Sequence, residues 1–156
     1  RLVRLLGGEL ALAAGDSASA LAAAGMRPTA RPEVLLSALA QVQMAQAAVG
    51  AVGAAETSGA AQAADRLQSW VLEHPSDAMA WQVLAQAQSA RGLPLRALRA
   101  EAEARVAVLD YPAAMDRLRA AQNLARRGTT DHIEASIIDA RARQVELLLR
   151  EQAAQR

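Results

Sequence analysis

The stretch His74-Pro75-Ser76-Asp77-Ala78-Met79-Ala80-Trp81-Gln82-Val83-Leu84-Ala85-Gln86-Ala87-Gln88 decides the fold. A Pro-containing turn hands over to a run of Ala, Leu and Gln, all good helix formers, and small residues then lead to Gly92. The same plan occurs upstream. There Arg31-Pro32-Glu33 precedes Leu39-Ala40-Gln41-Val42-Gln43, which aligns with Leu84-Ala85-Gln86-Ala87-Gln88 and is followed by Gly50. No stretch alternates apolar and polar residues over the length of a strand, so the chain reads as all-α.

A helix–turn–helix repeated along a chain at about 34 residues is the tetratricopeptide plan, with Trp, Leu, Ala and Pro at fixed places. Trp81, Leu84, Ala85 and Ala97 fall on those places, as do Gly8, Ala20, Ala24 and Pro32 for an earlier unit that turns at Gly15-Asp16. Leu36, Leu39 and Ala40 open a unit between them, which closes on Ala63, Leu67, Trp70 and Pro75. The spacing predicts one domain over residues 1–156, a helical-hairpin solenoid with repeats at about 1–32, 33–75, 78–109 and 110–128. Leu39 and Leu84 stand 45 residues apart. The surplus over the usual period falls around 47–59, where Gly50, Gly53, Thr57, Ser58 and Gly59 predict a break.

Small residues at helix crossings let two axes approach to about 8 Å. Ala85 and Ala97 are expected to meet at such a crossing, with Trp81 and Leu84 beside them and Trp70 in a neighbouring interface. A helix from Pro94 should run to about Leu109, and Asp110-Tyr111-Pro112 should start another that ends near Gly128. The last helix, about 131–154, carries Ala135, Ile138, Ala142, Val145 and Leu149 as one apolar stripe. Asp131 and Glu134 have capping-box spacing, and Asp139–Arg143 and Glu146–Arg150 are i,i+4 pairs on the other side. This long helix is expected to cap the array.

The net charge is +1, with 17 basic residues, every one an Arg, against 16 acids. Residues 1–75 hold five Arg and six acids, so neither half has the basic excess of a phosphate-binding surface. Aromatic stacking platforms are lacking as well, so no nucleic-acid partner is expected. The chain has no Cys and no thiolate chemistry. Val34 to Ala55 is uncharged and of spanning length, but its Ser, Gln and Gly residues argue against a membrane span. The first residue is Arg, from which a fragment of a longer chain is expected.

The sequence carries no catalytic pattern. His74 and His132 are the only histidines and form no His-Glu-x-x-His pair. No Ser occupies a Gly-x-Ser-x-Gly elbow, and neither Gly7-Gly8 nor Gly50-x-x-Gly53 opens a phosphate loop. No catalytic residue, metal or cofactor is expected within this chain. The positive candidate is a groove lined by the first helix of each repeat. By register it presents Glu9, then Ser37, Gln41 and Met44, then Gln82, Gln86 and Ser89. Amides and hydroxyls can bond a peptide backbone without demanding one sequence, and Met adapts its shape. The same residues could equally be ordinary solvent-facing positions. Leu5 and Glu9 stand where carboxylate-clamping repeats carry Lys and Asn, which argues against such a clamp in repeat one.

Asp110-Tyr111-Pro112-Ala113-Ala114-Met115-Asp116-Arg117-Leu118-Arg119-Ala120-Ala121, with Ser136-Ile137-Ile138-Asp139-Ala140-Arg141, resembles the tail of bacterial periplasmic zinc metallopeptidases of the barrel-assembly-enhancing type. The resemblance implies a tetratricopeptide domain joined in the parent to a His-Glu-x-x-His protease domain, where zinc would sit. It implies a periplasmic location and protein partners: that protease domain, the outer-membrane assembly machinery, or client outer-membrane proteins. The function implied is substrate recruitment or docking. The alternative is an independent tetratricopeptide scaffold in secretion or envelope assembly.

Overall fold

The computed structural model describes residues 1–48 and 56–155, apart from the side chains of 56–58. The described residues form eight helices and no strand: α1 Leu2–Ala13, α2 Ser17–Ala24, α3 Arg31–Ala47, α4 Glu56–Glu73, α5 Ala78–Ala90, α6 Pro94–Ala107, α7 Tyr111–Arg126 and α8 His132–Ala154. Gly50 and Gly53 lie outside the described residues. Thr57, Ser58 and Gly59 do not belong to a break, as the sequence had suggested, but to the first turn of α4. Gly59 lies where α4 meets α3, and an added Cβ would make only ordinary contact with the Gln41 carbonyl oxygen, at 3.6 Å.

One turn grammar starts four of the eight described helices. Asp16, Asp77, Asp110 and Asp131 each sit at an N-cap and accept a hydrogen bond from the backbone N–H three residues on. A side-chain acceptor there satisfies one of the amides that helix geometry leaves over. Ahead of α6, Gly92 takes a positive φ of 70°, and ahead of α7 the same left-handed place is held by Leu109 at 61°. The capping box read at Asp131 is half formed: Asp131 accepts from the Glu134 N–H, but the Glu134 carboxylate turns to Arg99 instead of reaching back. Glu146 pairs with Arg150 at 2.8 Å. Asp139 accepts instead from the Gln122 amide at 2.8 Å.

Each helix packs on the next in the chain, and beyond those neighbours α1 touches α3, α3 touches α5 and α6 touches α8. The core follows this order in three clusters. Leu5, Ala20, Ala24, Leu36 and Ala40 join α1 to α3. Val34, Leu35, Val42, Leu67, Val71, Trp81 and Leu84 join α3 to α6, and Leu95, Met115, Leu118, Ile138 and Val145 join α6 to α8. Ala100 and Ala104, not Ala97, share the middle cluster with Ala85, although Ala97 is buried too. The α6–α7 step changes the pattern. First helices touch up to α5, but α5 and α7 do not touch, and second-helix contact of α6 with α8 replaces them.

Ion pairs accompany that change. Arg96, Arg99 and Glu103 lie on one face of α6 at spacings of three and four. They meet Asp131, Glu134 and Arg141 from the α8 segment, the last through a bidentate pair at 2.6 and 2.7 Å. Glu134 is nearly fully buried, and a buried charge of this kind is tolerated only when paired. These ion pairs and the apolar cluster of Leu95, Ala102, Ile138 and Val145 together hold α8 on α6.

Gly7 and Gly8 lie about 100° apart around α1, the first exposed and the second buried. A Cβ at Gly8 would stand 2.6 Å from a Leu36 methyl and 2.7 Å from the Ala23 Cβ, whereas one at Gly7 would meet nothing within 4 Å. Gly8→Ala should therefore destabilise the chain by about 1–3 kcal/mol through overpacking. Gly7→Ala should stabilise it by about 1 kcal/mol through helix propensity. Urea melts of the two variants check this; equal shifts would contradict the close approach at Gly8.

Candidate functional site

Structure divides the sequence-derived groove. Gln82, Gln86 and Ser89 on α5 line one hollow of about 360 Å³, with Gln46 from the end of α3 and Arg105 and Arg117 from α6 and α7. This hollow lies where α5 and α7 part, over the small floor of Ala85 and Ala104. Gln82, Gln86 and Ser89 are exposed. Glu101 and Arg117 form a loose 3.5 Å pair at the rim, an exposed contact of little energetic weight.

Ser37, Gln41 and Met44 line a different hollow of about 650 Å³, with residues of α2 and α4 around them. Register predicts that Ser37 and Gln41 face a groove lined by the first helices. They are instead buried, at 1% and 8% exposure. The cause is the position of α3. With α1, α2, α4 and α5 all packed on it, α3 has little free face, and nine of its residues are buried. Glu9 is exposed on α1 and lines neither hollow.

The buried polar groups on α3 are mostly satisfied. Arg66 Nη1 donates to Ser37 Oγ at 2.7 Å, and Gln41 Nε2 donates to Gln62 Oε1 at 3.1 Å. Gln41 Oε1 has no partner, alone among the buried side-chain polar atoms described. Exchanging the amide's O and N would only move the deficit to the other atom. Sequence reasoning passed over Arg66 and Gln62 because it looked only at first helices. Their i,i+4 spacing, which puts both on one face of α4 toward α3, was the available signal.

His74 lies exposed between α4 and α5, and His132 is the exposed first residue of α8. The His74 ring stacks on Trp70 with centroids 4.0 Å apart, and its Nδ1 lies 3.1 Å from the Trp70 carbonyl oxygen. Among the described residues no three His, Cys, Asp or Glu side chains gather as metal ligands would. No described helix is long and apolar enough to cross a membrane.

The charged cluster with the strongest electrostatic signature is a joint between helices. Asp77 caps α5 at Ala80 N, takes a bidentate pair from Arg31 on α3 at 2.7 and 2.9 Å, and accepts from Trp70 Nε1 on α4 at 3.0 Å. Arg31 beside it holds the Asp77 carboxyl down at about 2, against an ordinary 3.8, while burial pulls the other way. At Glu33 burial raises the carboxyl, but N–H groups of Thr29 and Ala30 and the Arg1 guanidinium outweigh it and leave the net shift downward. These perturbed acids join helices, and Asp77 also borders a hollow of about 410 Å³ with Arg31, Trp70 and His74. No protein-family model and no curated protein matches the chain.

Proposed function

We propose that this chain is a non-catalytic protein-interaction module of the tetratricopeptide kind, whose open hollow beside α5 holds an extended segment of another polypeptide. The observation that carries the reading is the set of exposed amide and hydroxyl groups of Gln46, Gln82, Gln86 and Ser89 around an alanine floor, where α5 and α7 part. Such groups can exchange hydrogen bonds with any peptide backbone, and the two flanking Arg side chains favour acidic segments. Nearest-neighbour helix packing and the recurring Asp caps support a repeat array.

On the resemblance of the tail, the parent is a periplasmic zinc metallopeptidase, and this module recruits its substrate or docks it on the outer-membrane assembly machinery. Zinc would belong to the protease domain, not to these residues. Client capture is the direct test. Gln86→Arg should weaken binding of an unfolded outer-membrane β-barrel protein by about tenfold, near 1.4 kcal/mol, with helicity by circular dichroism unchanged. Undiminished binding with intact helicity would remove the hollow from the account.

A further inference from the structure

Helix α1 has two apolar faces, and the rest of the chain covers one of them. Leu5 packs in the first cluster with Ala20 and Leu36, and Gly8 lies against Leu36 and Ala23. On the outward side Leu2, Val3, Leu6 and Leu10 are all between 58% and 85% exposed. No other described helix leaves as many large apolar side chains in water. Leu2, Leu6 and Leu10 stand four residues apart and form one ridge on the helix surface. The row Val3, Gly7 and Ala11 runs beside it, so a groove opens at Gly7. Within a single copy nothing requires that glycine. An added Cβ would meet nothing within 4 Å, and Gly is the poorest helix former after Pro. Arg1 and Arg4 are engaged with Glu33 at 2.8 and 3.6 Å, and Glu9 is the exposed charge next to the ridge.

Three leucines at equal steps make a ridge that is the same from either end. Turned about a twofold axis at Leu6, the ridge lays Leu2 of one copy against Leu10 of the other. Each Leu6 then sits in the groove that Gly7 of the other copy leaves open. This is ridges-into-grooves packing of the i±4 kind, the commonest between helices of globular proteins, and a twofold contact closes on itself. We infer that the chain forms a twofold homodimer joined α1 to α1, with Leu6 at the axis. The exposed side chains of the two copies and the surface between them remove on the order of 1,000 Å² from water, about the least that a specific interface needs. The dimer is therefore a reversible one. A lipid surface is a poorer complement, because it favours basic side chains beside the apolar face, whereas both Arg are turned to Glu33 and the neighbouring free charge is the Glu9 carboxylate. The contact is separate from the α5 hollow and does not depend on the function proposed there.

Sedimentation equilibrium of this protein through the micromolar range tests the inference. The mass should rise from one copy to two and then level off. Leu6→Glu sets two carboxylates against each other at the axis and should weaken association at least about a hundredfold. Its helicity and its melting temperature in dilute solution should not change, because Leu6 is exposed in the single copy. Gly7→Ala should weaken association about tenfold by filling the groove, while it stabilises the single copy. The chain has no Cys, so a single introduced thiol reports the axis. Leu6→Cys should oxidise to a covalent dimer, whereas Leu147→Cys, on α8 and also 58% exposed, should not. A single-copy mass at every concentration would overturn the inference and leave this face to a different chain. Growth beyond two copies, undiminished association of Leu6→Glu, or equal cross-linking at both thiols would overturn it as well.

Discussion

Trp81→Ala should lower the free energy of unfolding by about 3–5 kcal/mol, a third or more of what a domain of this size commonly has. Trp81 is 8% exposed in the cluster that joins α3 to α6. Its indole N–H donates to the Pro75 carbonyl at 2.9 Å. The other large residues of that cluster are Val34, Leu35, Val42, Leu67, Val71, Val83 and Leu84, and the rest is Ala. An alanine-rich core has no spare side chain long enough to fill the cavity left by an indole. Trp70→Ala should cost less, because Trp70 is only partly buried and stacks on exposed His74. Chemical denaturation of both variants gives the comparison. A Trp81→Ala loss below that of Trp70→Ala would contradict the core assignment.

Asp77→Ala has the second-largest expected effect, about 3 kcal/mol. The N-cap accounts for about 1 kcal/mol, and leaving Trp70 Nε1 and Arg31 without an acceptor adds about 1–3 kcal/mol. The pH dependence follows from the same contacts. Because folding lowers the Asp77 carboxyl from 3.8 to about 2, its contribution is fully present above about pH 4. It is lost as pH falls through about 2. The shift corresponds to at most about 2 kcal/mol, less some screening at the half-exposed Arg31. Asp77→Asn should therefore flatten stability against pH between about 4 and 2, without abolishing the acid sensitivity that Asp16, Glu33 and Asp131 contribute by the same sign. An unchanged acid limb in Asp77→Asn would show that the joint does not form in solution.

Helical class and turn positions were legible because they rest on local chemistry. Asp and Pro at helix starts and the Ala135–Leu149 stripe each act within one or two turns of chain. The division of the groove was not legible, for two physical reasons. α3 is enclosed by four other helices, so its polar Ser37 and Gln41 are buried although register alone gave them an open side. The parting of α5 from α7 goes with apolar packing and ion pairs between α6 and α8, the pairs made across 35 to 38 residues of sequence. No periodicity within a single helix carries that information. Ala97 shows the same limit on a smaller scale: it sits at the repeat position for the crossing, yet Ala100 and Ala104 share the cluster with Ala85.

The central claim is that an extended polypeptide is held beside α5. The most direct measurement is an amide chemical-shift map of the isotopically labelled protein, titrated with an unfolded segment of an outer-membrane β-barrel protein. The account predicts shifts that saturate and concentrate on Gln46, Gln82, Gln86, Ser89 and Arg105, with α8 unaffected. Shifts spread evenly over the chain, or confined to α8, would contradict it.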